Sequence, residues 1–554
     1  MMWILSFLEI SADSIREHVY FLASEKCEGR FTGSKGEKIA RDYIKKKLKS
    51  YGYKVFEEGF EVLVDVKPAK GTFFKVGEEK IKLGEDYLPL SFSSEGRVEG
   101  EVVFAGWGIE DSLYSDYGNL DVKGKIVALF RYSKEDTSNR FERFSDIPTK
   151  LRIAREKGAK GVIIINPPDH GDELRPIRAT EFQNSGIIAV MVTRKVAERI
   201  LGRDINSLYD SLKLKPIPFN TGKTVEIGVK FKKIKAKTAN VYAMLEGRSK
   251  RWIIFGAHYD HLGWGDHAIH FGADDNASGV ALVLEASRVM SREKGDVGYI
   301  FVFFSGEELG LLGSKEFVKH LPVPKESVLV YFNFDMVGRV KDSAFSLLGA
   351  QSGEGLEGIV DSVARLKGYR VVFGQGAVGP SDHTSFYLAN IPVAFFFTGS
   401  HPDYHKPSDT PEKINYGGIA DITDIALRAA KAIEKRGGVK FVKVKEEVRD
   451  RVGRLKVRLG IIPSYGSPVE GVLVDGVSPN SVAETYGIMA GDIIISIGGK
   501  PIKNLYDYMD VMANYKPGDK TVVVVKRGGQ ILEIHVEFHK LGGNCIIRRG
   551  RSWK

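Results

Sequence analysis

The chain is predicted to be a multidomain protein built around an α/β unit whose sheet is covered by helices on both faces. Three observations predict this. Its 554 residues exceed what one hydrophobic core serves, so roughly three or four domains are expected. With 43% apolar and 27% charged residues, the composition is that of an ordinary globular protein. From about Val229 to Gly437, nearly all-apolar strand candidates alternate with amphipathic helix candidates, the pattern of strands buried on both faces.

The elements follow in chain order. An amino-terminal region, 1–78, has helical periodicity from Ser11 to Tyr53, clearest over Gly36 to Leu48. Tyr51-Gly52-Tyr53 ends that helix and Lys54-Val55-Phe56 begins a strand. Residues 79–228 hold strand candidates Val102 to Ala105, Lys125 to Phe130 and Gly161 to Ile165, with a helix over Lys150 to Lys157. This small mixed domain carries no cluster of paired acids, nucleophiles or ligands. The α/β unit, 229–440, is expected to place strands at Trp252 to Ala257, Tyr299 to Phe304, Val328 to Phe334 and Val393 to Phe397, with helices at Ala277 to Met290 and Leu309 to His320. A charged stretch, Lys435 to Lys456, reads as a helix end and linker. Residues 455–540 form a further small domain, with strands at Val472 to Val474, Asp492 to Ile497, Thr521 to Lys526 and Ile531 to Phe538 around a helix at Leu505 to Ala513.

The formal charge of +10 comes from basic residues interspersed with acids, not from a basic stripe, and no nucleic-acid motif is present. Cys27 and Cys545 lie far apart, which excludes a disulfide scaffold and a cysteine-based metal site. The apolar run Met1 to Ile10 is short, lacks a basic leader and is interrupted by Glu9. No stretch approaches the roughly 20 apolar residues that cross a membrane. The chain as it stands is therefore expected to be cytoplasmic, with export expected only if its true start lies upstream.

Histidine placement points to chemistry. Eight of the 12 histidines fall between His258 and His405, and the apolar strands end in acids or histidine. Groups at the carboxyl ends of neighbouring strands in such a sheet converge on one crevice. His258 is a candidate zinc ligand whose second ring nitrogen Asp260 would orient. Asp274 and Asp275 precede a helix; one of them suits bridging of two cations, while Asp275 or Asn276 also suits helix capping. Glu307 and Glu308 follow the most apolar strand. Adjacent carboxylates suit a division of labour, one binding metal and one taking a proton, although two acids in a first helical turn would also be favoured by the dipole. Asp335 ends a buried strand, where an acid is costly unless a cation or hydrogen bonds satisfy it. His405 lies in the turn-rich stretch His401 to Thr410. Imidazoles with carboxylates suit Zn²⁺, Co²⁺ or Mn²⁺, and histidine argues against calcium.

The stretches Gly256 to Gly263 (GAHYDHLG), Gly272 to Gly279 (GADDNASG), Phe304 to Leu309 (FSGEEL), Asn333 to Gly338 (NFDMVG), Pro380 to Phe386 (PSDHTSF) and His401 to Thr410 (HPDYHKPSDT) resemble the ordered motifs of the M28 family of co-catalytic zinc peptidases. Glu28-Gly29-Arg30 and Thr32-Gly33 resemble the amino-terminal helix region of that family. The resemblance implies the zinc-exopeptidase fold, a mixed central sheet with helices on both faces, and peptide substrates. It implies two divalent metal ions, most readily Zn²⁺: Asp275 bridges, Glu308 and His405 complete one site, and His258 and Asp335 complete the other. Glu307 is then the general base and Asp260 the residue orienting His258. Some members steady the oxyanion with a tyrosine near the Ser-Asp-His motif; the nearest position here is Ala377, which leaves His383 as the candidate for that support.

Residues 79–228 resemble a protease-associated domain through Phe104 to Gly108 (FAGWG), Lys123 to Val127 (KGKIV) and Ala159 to Ile165 (AKGVIII). Residues Val457 to Phe538 resemble a PDZ domain through Val474 to Ser481 (VDGVSPNS) and Gly491 to Ile497 (GDIIISI). That second resemblance implies a peptide-carboxylate loop at Arg458, Leu459, Gly460 and Ile461. The expected activity is removal of amino-terminal residues from peptides. The alternatives are a carboxypeptidase of the same fold, a glutaminyl cyclase-like enzyme, and an inactive scaffold that binds peptides through its PDZ-like part. The full ligand set favours hydrolysis over the last two.

Overall fold

The computed structural model describes residues 9–538 apart from 112, 135–140, 146, 183, 266–267, 294, 375, 445–456, 464–470, 478–480, 490, 503–507, 509–510 and 513. Its principal sheet has eight strands in the spatial order Val55–Pro68, Phe231–Leu245, Gly298–Phe304, Trp252–His258, Val328–Phe334, Val393–Phe397, Ala344–Leu348, Arg370–Phe373. The four strands from Gly298–Phe304 to Val393–Phe397 run parallel, and antiparallel pairs flank them, so the sheet is mixed. Trp252–His258 is followed by a strand on one side of it and then by one on the other. Its carboxyl end is thus a topological switch point, where a crevice opens between diverging connections.

The strand sequences are apolar throughout because each face has its own core. Ile253, Phe255 and Ala257 pack with Tyr299, Phe301, Phe303, Val330, Phe332 and Phe334 against the helices Ala12–Leu22, Gly279–Met290 and Tyr416–Arg436. The alternate residues Trp252, Ile254, Ile300, Val302, Phe304 and Tyr331 pack against Phe317 and Phe386 of the helices Leu312–Lys319 and His383–Leu388. Period-2 alternation thus separates two cores, not core from solvent.

Two helices start later than their periodicity predicts. The segment expected from Ala277 becomes regular at Gly279, and the one expected from Leu309 becomes regular at Leu312, after Leu311 adopts a left-handed φ of 61°. Both delays leave acidic residues in irregular backbone, free of the helix.

Val55–Pro68 and Phe231–Leu245 pair along their length, Val55 opposite Ala243 and Pro68 opposite Phe231. They form a two-stranded stem from which the intervening residues fold as a second eight-stranded sheet with its own core. Phe73–Val76 pairs with Phe219–Val229 in that sheet, so the insert draws in residues ahead of position 79. The carboxyl-terminal strands Ile461–Pro463, Val472–Val477, Ile493–Ile497, Lys520–Arg527 and Gln530–Glu537 surround a separate core that includes Val457, Leu459, Val474, Ile494 and Val523. The helix expected over 505–513 lies largely outside the described residues. Among the described residues no helix is long and apolar enough to cross a membrane.

Candidate metal centre

The switch point carries the site. His258 is the last residue of its strand and is buried. Its Nε2 lies 3.3 Å from Asp335 Oδ1, 3.5 Å from Asp275 Oδ1 and 3.9 Å from Glu307 Oε2. Its Nδ1 faces the backbone carbonyl of Asp260 at 3.2 Å, and the Asp260 carboxylate is farther, at 3.8 Å. Burial alone would disfavour charge on this ring, but Glu307, Asp335 and Asp275 push its proton affinity well above the ordinary histidine range.

Asp260 has a wider role than orienting one imidazole. Its carboxylate accepts the hydroxyl of Thr32 at 2.8 Å and the backbone N–H groups of Glu307 and Glu308 at 3.1 and 3.4 Å. It ties the amino-terminal segment, the His258 strand end and the acid pair together. Burial raises its own proton affinity to about 7.

The two-acid stretch before the Gly279 helix divides as follows. Asn276 Oδ1 accepts the N–H of Gly279 at 2.9 Å and so serves as the cap. Asp274 turns away: its Oδ1 accepts Gly338 N–H at 2.6 Å and its Oδ2 lies 3.1 Å from His401. Asp275 faces the crevice, with Oδ2 at 3.1 Å from His405 Nε2. Beneath them Asp409 accepts the backbone N–H groups of both aspartates, at 2.9 and 3.1 Å, and is itself held by Arg339.

After Gly306, at φ 70°, the chain turns and presents both glutamates before the helix begins. Glu307 points toward His258. Glu308 is held from two sides, Oε1 at 2.8 Å from His261 Nδ1 and Oε2 at 3.3 Å from His405 Nε2. Burial raises the proton affinity of Glu307 well above the usual range, helped by Glu308, Asp382 and Asp335. Glu308 is also buried, yet the hydrogen bonds of His261 and His405 hold it below the usual range. The adjacent acids are thus driven in opposite directions.

Asp335 follows its strand, and its Oδ2 accepts the Ser381 hydroxyl at 2.8 Å while Oδ1 has no hydrogen-bond partner. His383 is buried against the Phe395 ring, centroids 4.7 Å apart, and burial lowers its proton affinity to about 4. Ala377 is buried in the apolar cluster around Phe386. Arg458 to Ile461 lie in the separate carboxyl-terminal unit: Leu459 is in its core, Gly460 has φ 81° and Ile461 opens an edge strand.

His258, Asp275, Glu307, Glu308, Asp335 and His405 therefore meet in one crevice. Two histidine and carboxylate groupings stand out, His258 with Glu307 and Asp335, and His261 with Asp275 and Glu308, each offering ligand atoms within 4.8 Å of one another. His258 Nε2 and Asp335 Oδ1 are buried with no hydrogen-bond partner, which is costly unless a cation completes them. This donor set fits a borderline divalent ion such as zinc.

Sequence reasoning missed three residues. His261 follows His258 and Asp260, and strict strand alternation would point it away, but the strand has ended and the chain turns. Tyr404 stacks on His405 with centroids 3.8 Å apart. Burial and the carboxylates of Asp275, Glu308, Asp335 and Glu307 hold its phenol above the ordinary range, so it stays protonated. Arg30, within the Glu28-Gly29-Arg30 motif, is fully buried and donates to the carbonyls of Leu22, Tyr259, Phe271 and Gly272 at 2.6 to 2.9 Å. It laces the amino-terminal segment to the two loops that carry His258 and Asp275. Gly29 makes this approach feasible, because a Cβ there would lie 2.5 Å from the His270 carbonyl oxygen.

Residues 240–430 match the model of Peptidase family M28. The domain that carries the site belongs to this family. Around the M28 domain, residues 98–200 match the PA domain and residues 438–538 the PDZ domain. The chain is 28% identical over 384 residues to the aminopeptidase YwaD of Bacillus subtilis, covering 65% of this chain and 79% of that one. An aminopeptidase of Pseudomonas aeruginosa is 25% identical over 416 residues, 72% of this chain and 71% of its own. Among solved structures, the aminopeptidase from Aneurinibacillus sp. strain AM-1 aligns with a TM-score of 0.55 at 26% identity, covering 79% of this chain and 96% of that one. The M28 domain is a metallopeptidase domain in a chain that also carries an inserted protease-associated domain and a PDZ domain.

Proposed function

We propose that the chain is a zinc aminopeptidase that hydrolyses amino-terminal residues from peptides at a site for two divalent cations. The observation that carries this reading is the convergence of His258, Asp335, Asp275, Glu308 and His405 around buried, unpartnered ligand atoms. It is supported by the naming of its relatives as aminopeptidases, one solved relative being described as a zinc aminopeptidase.

His258 and Asp335 would hold one cation, Glu308 and His405 the other, and Asp275 would serve both. Bound there, such ions supply Lewis acidity, easing loss of a proton from water and drawing charge from a peptide carbonyl. The chain's own groups do the rest. Glu307, which faces His258 across the crevice and is not one of the five proposed ligands, takes the proton of the attacking water and delivers it to the departing amine nitrogen. Tyr404, whose ring stacks on His405, would be the O–H donor to the carbonyl oxygen as charge develops there, since Ala377 offers no donor and His383 is buried against Phe395. Asp260 holds the backbone of the acid pair.

For the flanking units, a peptide carboxyl end would dock on the loop Arg458 to Ile461 and extend the edge strand Ile461–Pro463, by backbone hydrogen bonds common to any sequence. The inserted domain would limit which peptides reach the crevice.

Metal content together with cleavage of amino-free, amino-blocked and carboxyl-terminal test peptides examines the central reading. Two zinc ions per chain and cleavage of only the amino-free set are expected. Cleavage of the blocked set from its carboxyl end would replace the aminopeptidase assignment with a carboxypeptidase one.

A further inference from the structure

We infer that His261 is a positioning residue that fixes the carboxylate of Glu308 for cation binding, an inference that rests on the two-cation reading above. A glutamate that offers one oxygen to a cation can swivel about its last carbon–carbon bond unless its other oxygen is held. Here the two oxygens of Glu308 have separate partners. Oε2 lies 3.3 Å from His405 Nε2, and the same nitrogen lies 3.1 Å from Asp275 Oδ2. His405 Nε2 thus stands beside one oxygen of each carboxylate, close enough for all three residues to serve one ion. Oε1 turns to the other side, where His261 Nδ1 meets it at 2.8 Å, an ordinary charge-assisted hydrogen bond. The same Nδ1 is 3.8 Å from Asp275 Oδ2, so it is closer to one carboxylate than to the group as a whole.

The His261 ring is itself held. It is buried, and a Cβ on Gly272 would come within 2.5 Å of its Cδ2, so the loop that carries Asp275 leaves no room for the ring to turn. Its backbone N–H donates to the carbonyl of Arg30 at 3.1 Å. Its ring meets that of His405 edge to face, with centroids 5.9 Å apart. A rigid donor against the outer oxygen of a ligating carboxylate sets the plane of that carboxylate and so the affinity for the ion.

The competing role, direct ligation by His261 Nδ1, is separable. In His261→Asn the side-chain amide N–H can stand where Nδ1–H stands, which keeps the hydrogen bond to Glu308 but removes the imidazole ligand. In His261→Ala both are lost. The full-length chain, wild type and both variants, is titrated with zinc against a competing chromophoric chelator, and the unfolding midpoint of each metal-free form checks the fold.

For the wild type, two zinc ions per chain are expected. His261→Ala should still bind two at saturation, with the weaker step reduced about 10- to 100-fold. His261→Asn should recover most of that loss. Unchanged affinity in His261→Ala overturns the inference, as does a His261→Asn protein that binds one zinc or binds as weakly as His261→Ala. If His261→Ala does not fold, His261→Asn decides by the same criterion of two tightly held ions. Wild type that binds a single zinc ion overturns the two-cation reading itself and this inference with it, before any variant is compared.

Discussion

At the scale of single residues, the division between Glu307 and Glu308 is the clearest case of neighbours set to different work. Glu307→Gln removes the proposed proton acceptor while keeping its size and leaving the five proposed ligands intact. Turnover on peptide amides is expected to fall by a factor of about 10² to 10⁴ with zinc content unchanged; parallel kinetics and metal analysis check this, and near-normal turnover would remove Glu307 from the role. Asp275→Ala should lower the zinc content more than His258→Ala, because only Asp275 would serve both ions, and equal losses would argue against a shared ligand. A third residue affects stability, not catalysis. His18 is buried, bonded through Nδ1 to the Tyr43 hydroxyl at 2.8 Å, and burial lowers its proton affinity to about 4. Between pH 6.5 and 4 the unfolded chain therefore takes up a proton that the folded chain refuses, so stability declines as pH falls through that window. The loss approaches about 3 kcal/mol below pH 4. Unfolding midpoints from pH 4 to 8 should show a shallower acid slope in His18→Gln, and parallel slopes would reject the assignment.

At the scale of elements, every proposed ligand sits at a strand end or in the irregular backbone that follows one, and the regular structure mainly fixes where that irregular backbone begins. The amino-terminal segment matters because Arg30 closes four carbonyls with one guanidinium. Arg30→Ala would leave several buried acceptors unpaired, at about 1–3 kcal/mol each, less where water can enter. The expected outcome is a lower unfolding midpoint in metal-free protein and weaker zinc retention, with Arg30→Lys intermediate. A midpoint equal to wild type would show that the segment is not a clamp. The stretch His401 to Thr410 is fixed in another way. Asp403 gathers Lys413 and Ser408, each at 2.7 Å, and Arg339 at 3.4 Å, and these partners hold its carboxyl near 2 against the opposing effect of burial. That network supports the loop from which His405 and Tyr404 project.

At the scale of the molecule, the units have separate cores, and the main sheet has one on each face. The inserted domain leaves and rejoins the catalytic sheet through one antiparallel stem, so its two connections come side by side. The carboxyl-terminal unit has a core whose members all come from residues 457–538, as expected of a module able to fold by itself. Truncation after Glu447 should therefore leave zinc content and cleavage of short peptides close to wild type. If the PDZ domain retains long substrates by their carboxyl ends, KM for long peptides should rise on truncation while KM for dipeptides stays put. A uniform change across lengths would count against retention.

How much was legible in the sequence depended on whether the information was local. The continuous apolar runs predicted strands buried on both faces, and Val328–Phe334 and Val393–Phe397 lie where the pattern placed them. Residue chemistry at the strand ends nominated the acids and histidines, because an acid after a buried strand needs a partner wherever the chain goes next. Sequence spacing could not tell which member of each adjacent acid pair faces the crevice, since that depends on turns such as the left-handed Gly306 and Leu311. Nor could it find His261, whose direction is set by a chain reversal and by the loop at Gly272 that packs on its ring. Composition, periodicity and the residue types gathered at the crevice were thus determined by the sequence alone. Orientation was decided by tertiary structure, because hydrogen bonds and close packing between segments hundreds of positions apart, such as Arg30 with Gly272, aim each side chain.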